Sequence, residues 1–158
     1  MAVCAWAVIC RKSVVDKSDN TLSMLEVMES VSFDGGAPPE EAYRDKPVVV
    51  GSGTKEVAHF VSLWWRDVKD TPETITSRFS VVSPFGKVVY SKDLTIALEG
   101  HERTRHMLRM PGFFYQGAGR YLYRIEVPRK TKARMSWKIV AEVPLNVGMP
   151  PEKVTSPS

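Results

Sequence analysis

Residues 117–128, GAGRYLYRIEVP, constrain this chain more tightly than any other stretch. Gly117 and Gly119 open it with backbone freedom that residues bearing a side chain lack. Tyr121, Tyr123, Ile125 and Val127 then alternate with Arg120, Arg124 and Glu126, and only Leu122 falls out of step. A period of two predicts a strand with one buried face. A glycine, one residue and a tyrosine entering a strand is also the arrangement of a tyrosine corner, whose phenol bonds back to the preceding turn. Tyr123 stands where antibody-type domains carry an inter-sheet cysteine, so the core is expected to close by packing alone.

The rest of the chain supplies partners for such a strand. Residues 3–10 read as a fully buried strand, apolar throughout and ended by Arg11-Lys12. Residues 21–33 fit alternation through Leu25, Val27, Val31 and Phe33, and a helical face through Leu22, Leu25, Met28 and Val31. A hairpin-sized connection from residues 3–10 favours the strand. Residues 34–47 carry glycines, prolines and charges and read as a loop, and Val48–Val50 as a short strand. EVAHFVSLWWR, residues 56–66, is apolar on both faces. It is expected at the centre of a sheet, with one of Trp64 and Trp65 at the surface unless a loop such as 34–47 covers it.

Residues 75–94 read as a hairpin turning at Ser83-Pro84-Phe85-Gly86, and Thr95–Leu98 as a separate short strand. In residues 135–147, Trp137, Ile139, Ala141, Val143 and Leu145 fall on one side. About eight short strands at spacings of roughly 10–15 residues predict an all-β fold. The expected form is a single antiparallel β-sandwich over residues 1–148, immunoglobulin-like or similar in topology, with 149–158 as a flexible tail.

Cys4 and Cys10 lie on one strand about 20 Å apart, too far for a disulfide. With no disulfide framework and no secretory leader, a reducing, cytoplasmic setting is expected. No stretch has the length of a transmembrane helix, so no membrane partner is expected.

Taken together, AVICRKSVVDKSDNTLSMLEVMESV, VSLWWR, SPFGK, GFFYQGAGRYLYRIEV and IVAEVPLNV resemble an uncharacterised family of small single-domain bacterial proteins, carried under a domain-of-unknown-function label. The resemblance spans residues 3–147 and implies a β-sandwich in a bacterial cytoplasm. It brings no activity, ligand or catalytic residue. The loop GGAPPEEAYRDKP departs from the family pattern.

Phosphate loops, dinucleotide fingerprints, HExxH helices and paired CxxC motifs are all missing, so the chain is expected not to be an enzyme and to need no cofactor or metal. The one catalytic-looking group, His101, Glu102 and His106 with His59 from another strand, reads as a charged connection with solvated histidines. Charge is more informative. Residues 1–79 hold nine Lys/Arg against twelve Asp/Glu, and residues 80–158 hold thirteen against six. Such a tilt permits an anionic partner. The expected role is a non-catalytic interaction module binding another protein or its own copies, through Arg105, Arg120, Arg124 and Trp64. The alternative is an anion or nucleic-acid binder using the arginine-rich segment 103–134, with Phe113, Phe114 and Tyr115 as stacking platforms.

Overall fold

The computed structural model describes residues 2–33, 37–51, 58–66, 74–98, 100–130 and 134–148. Its elements are β1 (Val3–Val15), β2 (Leu22–Val27), β3 (Ser30–Val31), α1 (Glu40–Tyr43), β4 (Val48–Val50), β5 (Ala58–Trp65), β6 (Thr74–Val82), β7 (Val88–Ala97), β8 (Arg103–Met110), β9 (Phe113–Tyr115), β10 (Gly119–Lys130) and β11 (Met135–Val147). They form a four-stranded sheet ordered β2-β1-β5-β8, a five-stranded sheet ordered β3-β11-β10-β6-β7, and a β4-β9 pair. Pairing is antiparallel except between β3 and β11. The fold is therefore all-β, with eleven strands among the described residues. The proposed tail, 149–158, lies outside them.

β10 has a partner on each side, β11 and β6, as its sequence predicts. Tyr121, Tyr123 and Ile125 point into the core and are fully buried. The Tyr121 hydroxyl donates to the Gly117 carbonyl at 2.8 Å and accepts the Gln116 backbone N–H at 2.6 Å, which is the corner the spacing anticipates. Gly117 (φ +99°) and Gly119 (φ +146°) occupy backbone regions that L side chains rarely adopt. The β6–β7 turn packs on both: a Cβ on Gly119 would sit 2.8 Å from Pro84, and one on Gly117 2.9 Å from Phe85.

The two larger sheets and the β4-β9 pair contribute to one hydrophobic cluster. Phe60 of the four-stranded sheet meets Phe79 of the five-stranded sheet edge-on, with ring centroids 5.0 Å apart. Tyr115 is held between Phe33 and Tyr43 at 5.5 and 5.0 Å.

Several boundaries differ from the sequence reading, each for a physical reason. The β1–β2 hairpin confirms the strand reading of residues 22–27, but the chain then changes sheets. Met28 N–H still bonds to the Ile9 carbonyl, whereas the Glu29 carbonyl accepts from Asn146 and Val31 pairs with Val147. The broken alternation near Glu29 is this crossing. Residues 40–43 form one helical turn inside the presumed loop, placing Tyr43 on Tyr115. Thr95–Ala97 continues β7, and the presumed charged connection is β8, paired with β5 along its whole length.

β1 is buried at Ile9 and Cys10 and largely open elsewhere, so it is not a fully buried strand, and it runs on to Val15. Past Cys10 it parts from β5, and its hairpin with β2 bends over the outer face of β5 and β8. Ser13 donates its backbone N–H to His59 Nδ1 at 3.2 Å and its hydroxyl to Met107 Sδ at 3.0 Å. That hairpin, and not residues 37–47, is what covers the second apolar face of β5.

The two core tyrosines of β10 differ in a way that mutation can read. The Tyr123 hydroxyl is buried with no hydrogen-bond partner among the described residues, while Tyr121 makes two bonds. Tyr121→Phe is expected to cost about 2 kcal/mol, because it also strands a buried backbone N–H. Tyr123→Phe should be neutral or stabilising by up to about 1 kcal/mol. Chemical denaturation of both variants checks this, and equal losses would contradict it.

Candidate functional site

The structure separates the four residues expected to form a binding site. Trp64 is fully buried on the inner face of β5, where its indole N–H donates to Ser62 Oγ at 3.0 Å, so it cannot touch a partner. Its neighbour Trp65 is the exposed one, as alternation requires. Arg105 belongs to β8 in the four-stranded sheet, whereas Arg120 and Arg124 belong to β10 in the other, so they do not form one cluster. Arg105 donates to the Asn20 carbonyl on the β1–β2 hairpin. Arg124 is tied to Glu142 at 2.6 Å, which neutralises it as a steering charge. Arg120 is exposed beside Asn146 and has no ion pair among the described residues.

A different group of side chains occupies the outer face of the five-stranded sheet. Residues 121–125 of β10 pair in step with 145–141 of β11. Then Ile125 faces Ala141 while Glu126 faces Ile139, so Val140 is an extra residue, a β-bulge. One inserted residue reverses which side chains face outward beyond it. Ala141, Val143 and Leu145 therefore keep the inner side of Tyr121, Tyr123 and Ile125. Ile139 and Trp137 share the outer side with Glu126 and Pro128, not the inner side that strict alternation assigns them.

Their exposure agrees: Met135 is 62% exposed, Ile139 43% and Trp137 38%. Trp137 is nevertheless fixed in place. The Arg78 guanidinium lies 3.9 Å from its ring centroid, and Arg78 Nε is held 3.2 Å from Asp93. The anchored cation over the ring restrains an otherwise mobile side chain. Ser80 similarly donates to Glu126 at 3.1 Å.

β6 leaves β10 after the Arg78–Glu126 pair, so residues 127–130 and 135–138 pair only with each other as a two-stranded ribbon. Between Glu126 and Glu142 the sequence has five Lys/Arg and no acidic residue. Arg129, Lys130 and Lys138 of that ribbon are exposed and make no ion pair among the described residues. By the same register Lys130 and Met135 share the Trp137 face, whereas Arg129 and Lys138 lie on the other face of the ribbon. The region thus joins a restrained exposed tryptophan and two flanking apolar side chains with positive charge on both faces. Only the acid-free basic run was visible in the sequence. The three adjacent apolar residues Ile139-Val140-Ala141 were the one sign that strand phase can slip there.

No protein-family model, curated protein or solved structure matches this chain.

Among the described residues no group of three His, Cys, Asp or Glu is placed to hold a metal ion. His59 pairs with Arg109, and Trp65 with Arg103, at opposite ends of the same ladder, which sets His59 and His101 roughly 20 Å apart. Burial drives the Cys4 thiol up to about 11 and raises Cys10 as well, which suppresses the nucleophilic thiolate. No helix among the described residues is long and apolar enough to cross a membrane.

His106, expected to be solvated, is half-buried on β8 instead. Burial first, and the nearby Lys92 charge second, hold its imidazole below the ordinary value of 6.5. The folded state therefore disfavours His106 protonation. Stability from this residue is intact above the unfolded value and falls as pH drops through 6.5 toward the depressed folded value. His106→Gln should flatten the fall in melting temperature between pH 7.5 and 5; an unchanged slope would contradict the burial.

Proposed function

We propose that this chain is a non-catalytic interaction module that docks an acidic partner protein on its β10–β11 ribbon. The observation that carries this reading is the bulge at Val140, which turns Trp137 and Ile139 outward within an acid-free basic stretch. Tryptophan and arginine are the residue types most enriched among interface hot spots, and surrounding cations accelerate encounter with an acidic surface. Arg78 holds the indole before binding, so less side-chain freedom is lost on association. A second copy is a poorer occupant, because two ribbons face to face would oppose like charges.

We read the fold as an antiparallel β-sandwich of immunoglobulin-like topology. Two larger sheets sharing one core and the corner at the start of β10 support that reading. We further take the chain to belong with the cytoplasmic bacterial proteins its sequence resembles.

Affinity capture from the native host, followed by binding measurements with the recovered protein, tests the proposal. Trp137→Ala should weaken binding by about 2 kcal/mol or more, roughly 30-fold. Arg129→Glu with Lys130→Glu should slow association and reverse its salt dependence. Recovery of every partner at wild-type levels by both variants would overturn the reading. Capture abolished by nuclease, with a steep loss of binding in added salt, would replace it with the nucleic-acid alternative.

A further inference from the structure

The bent β1–β2 hairpin encloses a cleft of about 720 Å³ against the outer face of β5 and β8. This is the size range of small-molecule sites, which are mostly apolar with a few placed polar groups. Trp6 and Leu63 line it from the sheet, and Leu22 and Met24 line it from the hairpin. Its charged lining among the described residues is Arg103 and Arg105, beside His101 and with no carboxylate. Arg105 reaches across to the Asn20 carbonyl and ties the sheet wall to the hairpin wall. Arg103 makes no ion pair among the described residues.

The hairpin wall is held in shape by its own tip. The Asp16 carboxylate accepts the Ser18 N–H at 2.8 Å and its hydroxyl at 2.6 Å, and Asp19 accepts the Thr21 N–H at 2.9 Å. Asn20 takes the left-handed conformation (φ 60°) that asparagine tolerates. Both tip carboxylates are thereby engaged within the turn, while the guanidinium of Arg103 has no carboxylate partner among the described residues. On the mouth side, Arg66 Nε donates to the His101 carbonyl at 3.1 Å.

We propose that this cleft binds a small organic anion with an apolar body and one acidic group of the carboxylate or sulfonate class. The body lies against Trp6, Leu22 and Leu63, and the acidic group meets Arg103. This site is on the four-stranded sheet, apart from the ribbon of the five-stranded one, and does not depend on that ribbon's partner.

The probe is 8-anilinonaphthalene-1-sulfonate, read by fluorescence, with octanoate and octylammonium as competitors. Saturable binding of one probe per chain is expected, displaced by octanoate and not by octylammonium. Arg103→Glu should weaken the probe at least about tenfold, the scale of losing one charge-assisted contact. Leu22→Glu, which brings a like charge from the hairpin wall, should do the same if Arg103→Glu fails to fold. Trp137→Ala and Arg120→Glu, both on the other sheet, should bind as wild type. The proposal is overturned if binding does not saturate, if octylammonium competes as well as octanoate, or if Trp137→Ala removes the probe and the cleft variants do not.

Discussion

The Tyr121 hydroxyl is the interaction on which the rest of the arrangement depends. It joins the Gln116 N–H and the Gly117 carbonyl across the turn that feeds β10, and so fixes which way Tyr121 points. In a strand, one orientation determines all the others. Tyr123 and Ile125 follow Tyr121 inward, and Arg120, Leu122 and Arg124 are sent outward. The glycines flanking the turn are part of the same constraint. Pro84 presses on Gly119 closely enough that a side chain there would have to push the β6–β7 turn away, and one at Gly117 would have to move the Phe85 ring. One hydroxyl and two missing side chains thus fasten the central strand to the hairpin beside it.

From that strand outward, much of the architecture was legible. The corner, the central place of residues 119–127, the turn at Ser83–Gly86 and the β1–β2 hairpin all follow from local chemistry: glycine tolerance, proline geometry and period-two burial. The failures share a different cause. Val140 shifts the phase of β11, and nothing local distinguishes an inserted apolar residue from its apolar neighbours. The change of sheet at Met28–Glu29 and the bending of β1 past Cys10 are also tertiary events, decided by partners distant in sequence. Arg124 looked free because its partner Glu142 is eighteen residues away on another strand. β8 was missed because its charges suggested a loop, yet strand pairing needs only backbone, and its Arg103 and Arg105 side chains can stay wet.

Those tertiary events are what create the surface features of interest. The bulge moves an apolar group from the core side to the solvent side, where Arg78 steadies it. The bent hairpin both buries the second face of β5 and leaves a basic, apolar-walled cleft at its far end. The four-stranded sheet thereby carries the cleft proposed to take a small anion, and the five-stranded sheet the open ribbon proposed to dock an acidic partner. Part of the positive charge of the second half of the chain falls to each: Arg103 and Arg105 in the cleft, Arg129, Lys130 and Lys138 on the ribbon.

Everything assigned to the ribbon requires that Trp137 face solvent while Trp64 does not. The four indole N–H signals in a proton–nitrogen NMR spectrum, assigned by single Trp→Phe variants, report this directly when a soluble gadolinium chelate is added. The Trp137 and Trp65 signals are expected to broaden strongly and the Trp64 signal to persist, shielded by the core and bonded to Ser62. A Trp137 signal as protected as that of Trp64 would mean that β11 keeps its alternation through Val140, and the outward-facing site would not exist.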